Sequence, residues 1–261
     1  MLESCRREAK ASFSNDEVLL EKWITSPRHI EVQVVGDGTG AVSHLWDREC
    51  SLQRQRQKLI EIAPAFGLPG DLRADILAAA CKIAAAANYR GVGTLEFLVD
   101  ATGEEARFVF MEANARLQVE HTVTEEVTGL DLVAIQLKIA DGATLAELDL
   151  EQHQVPATRG VALQARVNLE TMTPEGNSLP GGGVLAAYDP PAGPGIRVDG
   201  FGYTGYATSP HYDSLLAKLI VRADNLKGAT FKALRALAEF RIEGVRNNTA
   251  FLQALLKQAL A

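Results

Sequence analysis

The chain has 261 residues, of which 47% are hydrophobic and 23% charged, so it is long enough to bury one or two cores and is not a disordered polypeptide. Its formal net charge of −7 argues against a surface devoted to nucleic acid or anionic lipid. The cysteines, Cys5, Cys50 and Cys81, share no short spacing, which disfavours a disulfide framework and a zinc site. No apolar run approaches the roughly 20 residues of a membrane span. These features predict a cytoplasmic protein that binds neither nucleic acid nor membrane.

The N-terminal half begins with a predicted amphipathic helix over residues 1–15, which an Asn-Asp turn ends. Three β-rich runs then predict antiparallel strands, at residues 18–24, 30–35 and 42–45. A Gly-Asp-Gly turn marks the hairpin between the second and third runs. A second helix is predicted over residues 69–87, because its apolar residues recur at helical spacing and Pro69 stands at its start.

Two apolar strands follow at residues 92–100 and 107–114, around a short polar loop at 101–104 that suits a hairpin. A helix is predicted at 130–140, and the polar stretch after it indicates a domain boundary near residue 150. The main elements predicted beyond this boundary are a strand at 215–221 and helices at 227–240 and 247–260. The sequence thus predicts an α+β protein of two closely packed units.

The most informative stretch runs from Met111 to His121. Its polar residues alternate with small or apolar ones, at Glu112, Asn114, Arg116, Gln118 and Glu120. In an extended chain these side chains share one face, which by itself is typical of a solvent-exposed strand. Their chemistry indicates more, because Glu112 and Asn114 offer hard oxygen ligands for Mg²⁺ and Glu96 on the preceding strand completes such a site. Arg116 and Gln118 are donors for an anion, and Glu120 is a candidate base.

The segment MEANARLQVEHTVTE resembles the E-x-N-x-R-x-Q-V-E-H signature of the biotin carboxylases, an ATP-grasp family. Further matching blocks lie in the family's order: EKWITSPRHIEVQV at 21–34, DRECSLQRQRQK at 47–58, APAFGL at 63–68, YRGVGTLEFL at 89–98, VTGLDLVAIQLKIADG at 127–142, YDSLLAKLIV at 212–221 and RIEGVRNN at 241–248. The resemblance implies the C-terminal part of an ATP-grasp domain, an antiparallel sheet with helices, at residues 1–145. A biotin carboxylase C-terminal domain would follow at 155–261.

The resemblance also implies roles for the residues that match the family pattern. The metal ligands, for Mg²⁺ or Mn²⁺, would be Glu96, Glu112 and Asn114. Bicarbonate would be held by Lys58, Arg116, Gln118 and the Val119 backbone, and deprotonated by Glu120. Arg197 would stabilise the enolate form of biotin. ATP would be bound by Glu21, Lys22, Ile24, His29, Gln53, Leu98 and Ile242.

The implied reaction is driven by Mg-ATP. Bicarbonate attacks the γ-phosphate to give carboxyphosphate, which yields CO₂ and phosphate, and N1′ of biotin is then carboxylated. Biotin, the carboxyl acceptor, would be carried on a biotin carboxyl carrier domain. A carboxyltransferase domain or subunit is the second implied partner, and a homodimer is a third implied association.

Without the resemblance, the residues leave simpler alternatives open. Lys58 belongs to a basic run at 54–58 that is typical of a solvated edge, and His29 fits a structural or exposed histidine. Arg197 lies in a Gly/Pro-rich loop, where an isolated arginine usually has no specific role. The glycines at 181–183 are not followed by Gly-Lys-Ser or Gly-Lys-Thr, so they favour a turn over a phosphate loop.

Three positions depart from the family pattern: Thr122 stands for proline, Ala115 for threonine and Arg56 for histidine. Together with the segments LQARVNLET and VDGFGYTGYATSP, they resemble the biotin carboxylase part of single-chain acyl-CoA carboxylases.

Family members also carry, upstream of the matching residues, an N-terminal lobe and a glycine-rich lid loop over the phosphates. We therefore expect a fragment that is inactive by itself, because such a lid excludes water and supplies donors to the phosphates. One alternative is a non-catalytic structural or docking segment. Another is a different ATP-grasp ligase, such as half of a carbamoyl-phosphate synthase, which would not account for Arg197 or the C-terminal blocks.

Overall fold

The computed structural model describes residues 1–21, 23–100, 106–173, 177–209 and 211–258. Its helices are α1 (Leu2–Phe13), α2 (Gly70–Ala86), α3 (His121–Thr128), α4 (Leu132–Ala140), α5 (Leu226–Glu239) and α6 (Thr249–Gln258). Its strands are β1 (Arg28–Asp37), β2 (Val42–Arg54), β3 (Gln57–Ala63), β4 (Arg90–Asp100), β5 (Arg107–Asn114), β6 (Val161–Asn168), β7 (Glu170–Met172), β8 (Ser178–Pro180), β9 (Ala187–Asp189), β10 (Ile196–Gly200), β11 (Leu215–Ala223) and β12 (Arg241–Glu243). The predicted α+β class is confirmed.

One antiparallel sheet organises the chain. Its eight strands lie in the order β10-β11-β6-β3-β2-β1-β4-β5, and small two-stranded sheets pair β12 with β9 and β7 with β8. The pairing of β3 with β6 joins the N-terminal and C-terminal halves, with Ile60 opposite Ala165 and Glu61 opposite Gln164. The sheet therefore continues across the boundary predicted near residue 150.

Strand β1 is buried on both faces, and its alternation explains how it serves both a core and a polar centre. Ile30, Val32 and Val34 belong to the core that α2 covers. The intervening Glu31 and Gln33 point to the opposite face and are also fully buried. The polar face of β1 is therefore enclosed by the protein and not solvated.

Two helical layers cover opposite faces of the C-terminal strands. On one face, α5 and α6 pack on β3, β6 and β11 in a core that includes Leu163, Leu219 and Ala233. On the other face, Val123 and Val127 of α3 pack on alanines of β3 and β6 and on Ile220 of β11. This packing sets the position of α3, whose N-terminal end follows the Gln118–Glu120 segment.

The predicted strand at 18–24 is wrong: the described residues of this segment form no regular element. Leu19, Leu20 and Trp23 are 93%, 99% and 79% exposed, so β propensity there is not matched by any neighbouring strand. The hairpin loop predicted at 101–104 lies outside the described residues, although β4 and β5 pair as predicted.

Two elements next to the site were not predicted. Strand β3 begins within the basic run around Lys58, which does not have a strand pattern. Helix α3 is rich in β-branched residues, which have low helix propensity. The Met111–His121 stretch is also not extended throughout, since β5 ends at Asn114 and α3 begins at His121. In the described part of the chain, none of the helices has the length and apolar character required to cross a membrane.

Candidate active site

A cleft of about 1300 Å³ opens along β2, β3, β4 and β5, and residues 213–215 also line it. It contains most of the predicted site residues, namely Glu21, Ile24, His29, Gln53, Lys58, Glu96, Leu98, Glu112, Asn114, Arg116, Gln118, Val119 and Glu120. Lys22 lies outside the described residues. Arg197 and Ile242 do not line this cleft. Tertiary structure thus brings together predicted site residues from four stretches of the sequence, at 21–29, 53–58, 96–98 and 112–120.

The predicted metal ligands meet on the β4–β5 hairpin. Glu96 and Glu112 are directly opposite each other in the antiparallel register, which places both carboxylates on one face. The Asn114 amide nitrogen Nδ2 donates to Oε1 of Glu96 and to Oε1 of Glu112, at 3.0 Å in each case. A half-turn of that amide would present its oxygen beside the two carboxylates. Such an oxygen-rich set fits a hard divalent cation.

His29 adjoins this group. Its Nε2 lies 2.6 Å from Oε2 of Glu96 without hydrogen-bond alignment, and its Nδ1 is 2.8 Å from Nε2 of Gln53. Burial alone would raise the pKa of Glu96, but its contacts with His29, Lys58 and Gln118 lower it to about 2. Glu96 is therefore an anion at neutral pH, as a metal ligand must be.

Lys58 stands at the centre of three buried carboxylates. Its ammonium nitrogen donates to Glu31, to Oε1 of Glu96 at 3.1 Å and to Oε1 of Glu120 at 2.8 Å. Burial alone would lower the pKa of Lys58, but the charges of Glu31 and Glu120 raise it above its ordinary value. Lys58 is therefore a fixed cation. The residues alone favoured a solvated basic edge here, but Lys58 lies instead among buried carboxylates.

Glu120 has cations on both of its oxygens. Oε1 accepts from Lys58, and Oε2 accepts from Nη2 of Arg166 at 3.0 Å. Burial alone would raise the pKa of Glu120, but the charges of Arg48, Lys58 and Arg166 lower it to about 2. In this arrangement the carboxylate is charged at neutral pH and is a weak base, because its lone pairs are already engaged.

Sequence reasoning missed three charged residues of this network, Glu31, Arg48 and Arg166. Arg48 is fully buried, and its guanidinium donates to Oε2 of Glu31 and at 2.6 Å to Oε1 of Gln33. Arg166 lines the cleft from β6 and also donates to Glu61. Alternation along β6, in which Gln164 and Arg166 interrupt apolar residues, was the available signal.

The lining of the cleft also includes apolar side chains, among them Ile24. Leu98 lines it together with Trp23, Val109 and Met111, which sequence analysis did not single out. Apolar walls beside a few convergent polar groups are the usual surroundings of a flat heterocycle. The cleft lining thus combines apolar and charged side chains, as an amphiphilic ligand with a charged tail requires.

Arg197 lies in a second, smaller cleft of about 540 Å³, with His121, Glu125 and Arg222 among its lining residues. Its guanidinium makes 2.8 Å hydrogen bonds to both carboxylate oxygens of Asp199 and to Oε2 of Glu125. These bonds raise the pKa of Arg197 above its ordinary value. Glu120 lines the larger cleft and His121 the smaller one, so the two clefts adjoin at this turn.

Ile242, which was expected beside ATP, lies in the C-terminal part of the chain and does not line the larger cleft. Its strand β12 pairs with β9, and Ile242 packs against Leu185 and Leu216 in the C-terminal domain. The side chain is only partly buried there, so its role beside ATP stays a prediction.

Residues 1–148 match the family model of the carbamoyl-phosphate synthase L chain, ATP binding domain, and residues 164–261 match the biotin carboxylase C-terminal domain. Pyruvate carboxylase of Aspergillus niger is 48% identical over 255 residues, which cover 97% of this chain and 21% of that protein. Human mitochondrial pyruvate carboxylase is 45% identical over 250 residues, covering 95% of this chain and 21% of that protein. The chain thus spans about a fifth of the length of these relatives.

Among solved structures, the biotin carboxylase domain dimer of Hydrogenobacter thermophilus 2-oxoglutarate carboxylase, in complex with MgADP, ADP and bicarbonate, has a TM-score of 0.89 and 39% identity, covering 98% of this chain and 55% of that one. A single-chain, multi-domain long-chain acyl-CoA carboxylase has a TM-score of 0.84 and 47% identity, covering 90% of this chain and 24% of that one. The chain therefore belongs to the family of the carbamoyl-phosphate synthase L chain, ATP binding domain, and is confirmed as a biotin carboxylase relative in which the C-terminal part of an ATP-grasp domain precedes the biotin carboxylase C-terminal domain.

Proposed function

We propose that the chain is the biotin carboxylase component of a biotin-dependent carboxylase, which uses ATP and bicarbonate to carboxylate N1′ of biotin. The observation that carries this proposal is one cleft that unites the facing carboxylates Glu96 and Glu112 with the Lys58 cation and the Glu120 carboxylate. The 39% identical Hydrogenobacter domain, solved with MgADP and bicarbonate, supports it.

In this proposal the cleft binds ATP along its length. Ile24, Leu98 and Ile242 would contact the adenine ring, and Glu21, Lys22, His29 and Gln53 would provide polar contacts. Glu96, Glu112 and Asn114 would hold Mg²⁺, or Mn²⁺, near the phosphates. Such an ion, when bound, neutralises charge on the transferring phosphoryl group.

Bicarbonate would bind beside Glu120, held by Lys58, Arg116, Gln118 and the Val119 backbone, all of which line the cleft. A bound anion would compete with Glu120 for the charge of Lys58 and so raise the proton affinity of that carboxylate. Glu120 would then accept the bicarbonate proton as a bicarbonate oxygen bonds to the γ-phosphorus and ADP leaves. The resulting carboxyphosphate would release CO₂ and phosphate.

Arg197 is proposed to act on biotin from the adjoining cleft. As N1′ gives its proton to the phosphate released from carboxyphosphate and bonds to CO₂, negative charge grows on the ureido oxygen, and a guanidinium stabilises it. For that role the guanidinium must exchange a contact with Asp199 or Glu125 for one with the ureido oxygen.

We further propose that residues 1–145 and 155–261 are two domains, and that the chain is inactive without the rest of a biotin carboxylase domain. The Hydrogenobacter domain has almost half its length outside the part that this chain covers, since coverage of it is 55%. Partners would be a biotin carboxyl carrier domain, a carboxyltransferase and a second copy of the chain. A cytoplasmic location is proposed from the free state of all three cysteines.

The acyl-CoA carboxylase type, predicted from sequence, is proposed for the parent enzyme. The long-chain acyl-CoA carboxylase at 47% identity supports this type. The pyruvate carboxylase of Aspergillus niger, at 48% identity, favours pyruvate as the alternative acceptor. Fusing the chain into each parent and assaying acyl-CoA and pyruvate as acceptors would separate the two.

The experiment that tests the function is a chimera in which this chain replaces its counterpart in the Hydrogenobacter biotin carboxylase domain. We expect bicarbonate-dependent ATP cleavage and carboxylation of free biotin, both abolished by Glu112→Gln, because a charged metal ligand is lost. Glu151→Gln, at an exposed carboxylate outside the cleft, is the matched control. A folded chimera without bicarbonate-dependent ATP cleavage would contradict the proposal and favour the non-catalytic structural role.

A further inference from the structure

Three charged residues form a row across the C-terminal strands. In the antiparallel registers, Asp199 of β10 is opposite Lys218 of β11, and Lys218 is opposite Arg166 of β6. The side chains of Lys218 and Arg166 are only 12% and 19% exposed. Like charges directly opposite each other on neighbouring strands are destabilising, and burial increases the cost. Two adjacent, largely buried cations therefore require partners that hold them there.

Those partners are consecutive residues of the turn between the two clefts. Arg166 donates to Oε2 of Glu120 at 3.0 Å, whereas Lys218 donates to the backbone oxygen of Val119 at 3.2 Å. One cation thus fixes the carboxylate, and the other fixes the peptide group from which that carboxylate extends. Ninety-nine residues separate Lys218 from Val119, so the contact depends on the fold alone.

Lys218 also contacts the second cleft. Its ammonium nitrogen is 3.4 Å from Oδ2 of Asp199, the same oxygen that accepts from Nη2 of Arg197 at 2.8 Å. Burial lowers the pKa of Lys218 below its ordinary value even beside Asp199. The ammonium is therefore less well compensated than that of Lys58, whose carboxylates raise its pKa. Stability alone gives no reason for a cation at this position.

We propose that Lys218 is a positioning residue that fixes the Val119 peptide relative to the Arg197 guanidinium. Its hydrogen bond to Val119 sets the orientation of the turn that carries Glu120, and its ion pair with Asp199 sets the resting position of Arg197. It thereby holds the bicarbonate-binding groups and the biotin-facing cation at a constant separation. This inference rests on the proposed function for its catalytic consequence, but the link itself is a structural property of the chain.

The first test measures kinetics in the chimera described above. Lys218→Met keeps the apolar stem and removes the ammonium, and we expect the KM for bicarbonate to rise roughly tenfold or more, as for loss of a charge-assisted hydrogen bond. The KM for ATP should change less than twofold. Biotin carboxylation should fall further than biotin-independent ATP cleavage, because both links are lost. Lys218→Arg, which retains a cation and donors, should recover most of the loss.

The matched control is Lys232→Met. Lys232 also donates to backbone oxygens, those of Pro194 and Arg222, but it lines neither cleft. It should lower the melting temperature without changing the KM for bicarbonate. If Lys218→Met likewise lowered only the melting temperature, Lys218 would be structural and the proposal would be overturned.

The second test needs no activity and uses the 261-residue chain itself. In NMR spectra, Lys218→Met should shift both the Glu120 amide resonance and the Arg197 Nε–H resonance, while Lys232→Met should shift neither. If the wild-type chimera is inactive, the proposed function fails. The NMR spectra then test by themselves whether Lys218 couples the Val119–Glu120 turn to Arg197. Unchanged Glu120 and Arg197 resonances in Lys218→Met would reject it, whatever the activity.

Discussion

Glu120 and Glu61 share Arg166 as a partner, yet their pKa values shift in opposite directions. Arg48, Lys58 and Arg166 lower the pKa of Glu120 to about 2, whereas burial raises the pKa of Glu61 to about 7 despite the adjacent Arg166. The difference follows from the number of cations near each carboxylate. Local charge balance, and not residue type, decides which glutamate is ionised.

Glu61→Gln tests this balance through the pH dependence of stability. Because the folded-state pKa of Glu61 is raised from 4.5 to about 7, the folded chain retains a proton that the unfolded chain has lost. The contribution of Glu61 to the free energy of unfolding is therefore fully present below pH 4.5 and is lost as pH rises to about 7. The variant should lack this decline, on the order of 1–3 kcal/mol in the free energy of unfolding.

Urea unfolding at a series of pH values between 4.5 and 8 measures this decline, with the exposed Glu151→Gln as control. Glu96 and Glu120 titrate below this window, since the pKa of each is lowered to about 2. Parallel curves for wild type and Glu61→Gln would show that Glu61 is ionised throughout.

Arg197→Ala separates the two chemical steps. Arg197 lies outside the cleft that holds the proposed metal ligands, so its loss in the chimera should act on the step at biotin. We expect biotin carboxylation to fall by about 10²–10³-fold, as for loss of other donors to a developing oxyanion. The slower ATP cleavage without biotin should largely persist. Both rates are measured by phosphate release and by ¹⁴C transfer from bicarbonate.

Arg241→Ala is the control for Arg197→Ala. Arg241 makes the same type of contact, donating through Nε and Nη2 to the carboxylate two residues later, but on an exposed surface. It should affect neither rate. A parallel loss of both activities in Arg197→Ala would instead assign this arginine to nucleotide binding or to the fold.

Helix α3 is the element on which the site depends. Its sequence, HTVTEEVT, has four β-branched residues before its end at Thr128 and no side-chain cap at Glu120, so its local helix propensity is low. Its helical state is stabilised by burial of Val123 and Val127 against Ile220 and the alanines of β3 and β6. Tertiary packing therefore places the Glu120–His121 turn between the clefts.

Ile220→Ala should destabilise the chain by about 2–5 kcal/mol, because it leaves a cavity at a fully buried position under α3. Amide hydrogens of α3 should also exchange faster than those of α2. Ile83→Ala, at a position 37% exposed on α2, is the control and should cost much less. Unchanged exchange in α3 would mean that contacts other than Ile220 hold the helix.

At the scale of the whole molecule, one sheet passes through both halves of the sequence. Leu59, Ile60 and Ile62 of β3 belong to the same core as α5 and α6, although β3 lies before the predicted boundary. Strand pairing between β3 and β6 completes this core. The two proposed domains therefore share an apolar core and a strand interface.

Division of the chain between Ala157 and Thr158 tests whether the halves fold separately. Each piece alone would expose an unpaired strand edge, β3 in one and β6 in the other, together with core side chains. We expect both to aggregate or give poorly dispersed NMR spectra when produced singly, and to co-purify as a one-to-one complex when produced together. Two well-dispersed, monomeric pieces would argue for independent domains.

The sequence alone determined the features that depend on local spacing. The facing of Glu96 and Glu112 was predictable, because antiparallel strands around a short loop bring their polar residues opposite each other. The α2 helix was predictable because its apolar residues recur at helical spacing, and the α+β class followed from such periodicities along the chain. The family also followed from sequence, since its signature occupies a single continuous segment.

The tertiary structure decided what depends on residues distant in sequence. The three carboxylates around Lys58, the buried Arg48, the lowered pKa of Glu120 and the Lys218–Val119 contact all join separate strands or helices. It also placed Arg197 in the adjoining cleft and Ile242 against the cluster of Leu185 and Leu216. Burial and charge pairing are set by the packing of the whole sheet, so no local pattern of residues specifies them.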